Sequence, residues 1–201
     1  MPSRQYVIDK PLFKKSYGIS PKNSPDHRQY ARIRHSTGSS PDIALHDGPD
    51  SQSPVIAVAH IMKTQLGFKI GLGDPKDAHA MIWEDMKYAN KLRTNFAWSM
   101  ELPFRRDSIS TNNTNDEEHA RRPDLMWKKT RSVAVDEGSI HAMSTRNWKL
   151  VDQDENILAV FTSNISRGQA GTLQVNVDFG KEFDTMVLMT LLALYERSRR
   201  Q

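Results

Sequence analysis

The run Trp127-Lys128-Lys129-Thr130-Arg131 is the best candidate for anion binding in this sequence. Side chains alternate along an extended strand, so Trp127, Lys129 and Arg131 are expected on one face, with Lys128 and Thr130 on the other. Two cations beside an indole can hold a phosphorylated head group by charge-assisted hydrogen bonds, with the ring at a membrane interface. Arg146 and Lys149 complete the candidate set, although their spacing sends them to opposite faces of a strand. The competing reading of all six residues is the solvated outside of a sheet. Arg197, Arg199 and Arg200 form a second basic cluster, whose competing role is to complement a helix C-terminus.

Other chemistry is harder to build. Gly71-Leu72-Gly73 lacks the third glycine of a dinucleotide fingerprint, since position 76 is Lys76 and Pro75 opposes a following helix, so it reads as a tight turn. No phosphate-binding loop with a terminal Lys-Ser/Thr pair and no G-x-S-x-G elbow is present. His27, His35, His46, His60, His79, His119 and His141 have no metal-ligand spacing, and the chain has no cysteine. Asp116-Glu117-Glu118 lies in a polar stretch, whereas catalytic carboxylates need rigid, partly buried positions. The sequence therefore points to a protein that is not an enzyme, with no metal and no cofactor.

The chain has 201 residues and a formal charge of +4, with a pI near 9.3. That length suits one domain, 1–201. The N-terminus lacks the apolar stretch of a signal peptide, which with the absence of cysteine leads to an intracellular, cytoplasmic expectation. A nucleic-acid binder would need a continuous basic stripe with exposed aromatics, and here only Trp127 sits among cations.

The elements that must position these residues are short. Apolar segments at 5–9, 17–20, 30–34, 42–46, 54–62, 66–70, 80–86, 93–102, 125–130, 145–152, 157–162 and 171–178 are bounded by Gly, Pro, Asn, Asp or Ser, the strand signature. Leu173, Val175, Val177 and Phe179 alternate with Gln174, Asn176 and Asp178, so one face is expected buried and the other wet. Residues 152–156 read as a hairpin loop, and 22–28, 36–40 and 107–122 as flexible loops. The segment 183–200 breaks this pattern. It is rich in Leu, Met and Ala, with Thr190 the one polar residue in its apolar run. It is too apolar all round for a surface helix, and shorter than the ~20 apolar residues of a membrane span. The expected fold is a closed antiparallel barrel of about twelve strands, wide enough to need a filling, around this helix. Phe183, Met186, Val187, Leu188, Leu191, Leu192 and Leu194 are its expected core residues.

Many strands followed by one terminal apolar helix resembles the tubby C-terminal-like superfamily, which includes the LURP-one-related proteins and the phospholipid scramblases, and the likeness is greatest to its fungal members. The resembling stretches are 6–13, 68–75, 127–133 and, most strongly, 147–152 through 179–184 into the helix. The resemblance implies a twelve-stranded barrel round a helix, and recognition of phosphoinositide-like acidic lipid by surface cations as the family's analogy. The expectation is peripheral binding of an acidic phospholipid, with no transmembrane span. The alternative is a protein-interaction or scaffold domain with no lipid ligand, marked by a large exposed apolar patch.

Overall fold

The computed structural model describes residues 3–34, 40–62, 67–77, 79–92, 94–102, 122–136, 146–164 and 168–200. Among the described residues twelve strands precede one helix. They are β1 (Arg4–Asp9), β2 (Ser16–Pro21), β3 (Gln29–Ile33), β4 (Ile43–His46), β5 (Val55–Ile61) and β6 (Phe68–Leu72), then β7 (Ile82–Tyr88), β8 (Asn95–Ser99), β9 (Asp124–Lys129), β10 (Trp148–Val151), β11 (Ile157–Ser163) and β12 (Gln169–Val175). Every neighbour in sequence is a neighbour in the sheet, and β1 pairs with β12 to close the barrel. All pairings are antiparallel, as short connections allow. The expected loops at 36–39 and 107–121 fall outside the described residues. Residues 22–28 form successive turns, with His27 N–H donating to Ser24 O at 3.0 Å.

The helix α1 (Lys181–Arg200) starts two residues earlier than its apolar run suggests. Gly180 precedes it with φ of 90°, a left-handed turn that glycine adopts without strain. At 1.5 Å per residue its length is about 30 Å, enough to run through the barrel from mouth to mouth. All seven expected core residues are buried, Phe183, Met186, Val187 and Leu191 completely. The helix lies nearest β5 and β6, where the small lumen-facing side chains Ala57 and Ala59 let it approach. Large rings fill the rest, among them Tyr17, Phe68, Trp127, Trp148 and Phe161. The lone polar residue of the run is satisfied in place. Thr190 Oγ1 accepts the Trp127 indole N–H at 2.9 Å and donates to Val187 O at 3.0 Å.

Two sequence expectations change. The regular strand ends at Val175, so Val177 and Phe179 reach the core edge from the connection to the helix. Gln174 is not wet: it is 4% exposed. The segment after β9 crosses the outer wall of β11, β12 and β1, where Val135 N–H bonds Thr162 Oγ1 and Asp136 N–H bonds Gln174 Oε1 at 2.7 Å. This strap buries an outward face that alternation alone marks as solvated.

Candidate anion-binding mouth

In a closed up-and-down barrel, alternate connections emerge at the same end. The β1–β2, β3–β4, β5–β6, β7–β8, β9–β10 and β11–β12 connections therefore surround the C-terminus of α1, and the others surround its N-terminus. The two ends differ sharply in charge. The first carries Lys14 and Lys15 after β1, Arg34 after β3, Lys91 after β7, Arg131 after β9 and Arg146 before β10, all exposed. Among the described residues the carboxylates there are Asp9 at the end of β1, which pairs with Arg28, then Asp42, Glu196 and Asp136, and the last is carried away along the strap.

Asp42 and Glu196 are both buried and both consumed by the helix tail. Glu196 bonds the Tyr17 hydroxyl and pairs with Arg199 at 3.1 Å, and Arg200 pairs with Asp42 at 3.2 Å. Burial first, and then the Glu196 charge, push the Tyr17 hydroxyl far above its ordinary range. Arg197 lies over the rings of Phe68 and Tyr88, 5.3 and 5.1 Å from their centroids. The basic helix tail is thus structural. It neutralises two buried carboxylates, and the mouth's exposed positive charge comes from the loops around it.

The loops are braced on a ring of aromatics. Lys10 donates to the carbonyls of Lys14 and Ser16 and lies over Tyr17 at 4.8 Å. Burial, followed by repulsion from Arg199, lowers its pKa. Lys129 lies over Trp148 at 5.5 Å, and Arg146 over Tyr195 at 5.9 Å. Such contacts hold cations against rings at the rim.

The six sequence-expected binding residues divide between three places. Lys129, Arg131 and Arg146 come together at this mouth. Lys128 and Lys149 face each other across β9 and β10 on the outer wall, where Lys128 bonds Glu155. Trp127 is a correction: it is 0% exposed, points into the lumen and anchors α1, so it cannot meet a bilayer. Trp127 and Lys129 do share a strand face. That face is the lumen, and only the barrel's end returns Lys129 to solvent. Sequence reasoning missed Lys14, Lys15, Arg34 and Lys91. The usable signal was the alternation of loops, since residues 10–15 and 89–94 contain cations and no carboxylate. It also missed an outer-wall indole, Trp83, which covers Gly71 and has Lys69 at 5.1 Å and His60 at 5.8 Å. Burial, outweighing the Asp42 charge, holds the His60 imidazole below its usual range.

The opposite mouth is acidic. Asp26, Asp47, Asp50, Asp77, Asp154, Asp178 and Glu182 are exposed there. It holds a cavity of about 730 Å³ between β1, the 22–29 and 47–49 segments and the start of α1. The cations of that cavity are already paired. Arg4 grips Asp184 through two bonds of 2.8 Å, Tyr6 donates to the same carboxylate at 2.8 Å, and Lys181 bonds Asp47 at 3.0 Å. The Lys181 hydrogen bond holds the Asp47 carboxyl below its usual range. Among the described residues no group of three His, Asp or Glu side chains is placed to hold a metal, and no helix is long and apolar enough to cross a membrane.

No family model, curated protein or solved structure matches this chain.

Proposed function

We propose that this barrel is a non-enzymatic binding domain that recognises acidic membrane lipid peripherally, through the basic mouth around the C-terminus of α1. The observation that carries the reading is the segregation of charge: among the described residues exposed cations dominate one end of the barrel, and at the other exposed carboxylates outnumber exposed cations such as Lys22, Arg28 and Lys76. A barrel charged in this way is steered to an anionic surface with its basic end leading. Each Lys or Arg near such a surface contributes about 1 kcal/mol, so four or five loop cations give useful affinity without a deep pocket. The barrel-and-helix layout is the one the tubby C-terminal-like resemblance implies, which supports the same reading. A scaffold role without lipid is the rival, and the outer wall supplies less for it: among the described residues Trp83 is the one exposed large apolar side chain on the outside of a strand, while Ile82, on the opposite face of β7, lines the acidic mouth beside the start of α1.

Vesicle co-sedimentation tests the reading. Binding is expected to phosphatidylserine or phosphoinositide vesicles, not to neutral phosphatidylcholine, and to fall as salt rises. The Lys129→Glu/Arg131→Glu protein is expected to bind at least ~30-fold more weakly, from about 2 kcal/mol of lost attraction. Equal binding to neutral vesicles, or binding untouched by the double substitution, would sink the proposal.

A further inference from the structure

We propose that Leu12, Phe13 and Leu92 are bilayer-inserting tips at opposite sides of the basic mouth, and that together they hold the barrel upright, with α1 along the membrane normal. The inference rests on the acidic-lipid reading and adds to it a depth and an orientation that charge alone does not give.

Among the described residues the exposed large apolar side chains are Leu12, Phe13, Ile82, Trp83 and Leu92, and three of the five lie on basic-mouth loops. Leu12 is 58%, Phe13 103% and Leu92 82% exposed. Trp83 is already engaged on the outer wall with Lys69 and His60. Phe13 and Leu92 pack far less than any fold requirement would explain.

Phe13 also has φ of 63°. A bulky side chain in the left-handed region is a backbone outlier that glycine or asparagine would relieve. A strained residue that contributes nothing to packing is better explained by function than by folding. The turn that holds it is firm: Lys14 N–H bonds Pro11 O at 3.3 Å, and Lys10 braces the loop against Tyr17. Leu92 is presented in a similar way. The Asn90 side chain accepts the N–H of Thr94 at 2.9 Å and of Asn95 at 3.2 Å, and donates to Thr94 Oγ1, closing the loop beneath Leu92. Cations flank both tips, Lys14 and Lys15 beside Phe13 and Lys91 beside Leu92. Apolar tips rimmed by lysine match an interface where acyl chains lie beneath anionic head groups.

The strand order fixes where the tips stand. The β1–β2 and β7–β8 connections are separated by the same number of strands in both directions round the barrel. With strands about 4.8 Å apart and tilted, a twelve-stranded barrel is roughly 25 Å across. Two anchors at that separation define a line through the mouth, and the cations of the β3–β4 and β9–β10 connections support it on either side.

The absence of cysteine gives a clean test. Phe13→Cys, Leu92→Cys and, at the acidic mouth, Gln153→Cys are each labelled with an environment-sensitive fluorophore on the full chain. They are mixed with phosphatidylserine vesicles carrying nitroxide on the acyl chain. Labels at 13 and 92 are expected to brighten, shift to the blue and be quenched, and the label at 153 to do none of these. Intact co-sedimentation with no quenching at 13 and 92 would overturn insertion while leaving the acidic-lipid reading standing. Quenching at one tip alone would overturn the upright pose. Absence of any sedimentation would overturn the reading and the inference together. Phe13→Gly gives an independent check: melting unchanged or raised, with vesicle affinity lowered several-fold. A lowered melting temperature would mean that Phe13 serves the fold.

Discussion

The contact between Trp127 and Thr190 decides both the register of α1 in the lumen and the fate of the residue that the sequence offers as a lipid contact. Thr190→Val keeps the side chain's shape and removes the acceptor of a fully buried indole N–H. An orphaned buried donor costs about 1–3 kcal/mol. Trp127→Phe removes the donor and some ring volume, and is expected to cost about 1–3 kcal/mol from the lost bond and the space left behind. In the Trp127→Phe background, Thr190→Val should add almost nothing, because the hydroxyl then serves only the Val187 carbonyl within its own helix. The expected coupling energy is therefore roughly 1–2 kcal/mol, well above the ~0.5 kcal/mol within which independent sites add. Urea unfolding of the four proteins, with matched m-values, measures it. Additive single effects would refute the contact and with it the placement of the helix. The same Trp127→Phe protein should bind anionic vesicles as the parent does, since Trp127 lies in the core.

Two further outcomes follow from buried charge. Leu191→Asp places a carboxylate at a position that is 0% exposed, midway along the lumen, and is expected to abolish cooperative folding as judged by thermal melting. Leu188→Lys should be milder, because Leu188 borders the acidic-mouth cavity and a lysine there can reach water and carboxylates. Glu84 gives a pH signature. Burial raises its pKa above 4.5 in the folded protein, despite the bond from Arg122. The native state then holds that proton more tightly than the unfolded state does, so the penalty is full above the folded value and fades as pH falls to about 4.5. Glu84→Gln is expected to be more stable than the parent at pH 7, with the advantage vanishing below about 4.5. A variant less stable at pH 7 would contradict this.

The sequence carried the barrel because its signals are local and repeated. Each strand is bounded by turn residues, and a segment apolar on every side has few places to go but a lumen. Gln174 and Trp127 show where that reasoning fails. Gln174 reads as wet by alternation and is buried by a strap thirty-eight residues away. Trp127 reads as exposed by its charged neighbours, yet alternation aims it inward and the cations belong to the strand's end. Single-strand reasoning assigns faces, while the anion site depends on which ends gather at one mouth. Lys14, Lys15 and Lys91 join Arg131 only once the barrel closes. The exposure of Phe13 depends on a turn conformation that its sequence does not announce.

The central claim is that one mouth of this barrel meets an anionic membrane and the other does not. It is tested by comparing two proteins of equal net charge, Lys15→Glu/Arg131→Glu at the basic mouth and Lys22→Glu/Lys76→Glu at the acidic mouth, on phosphatidylserine vesicles at low salt. The account predicts binding lost in the first and retained in the second. Equal loss in both would mean that net charge alone drives the attraction, and retention in the first would contradict the assignment of the mouth.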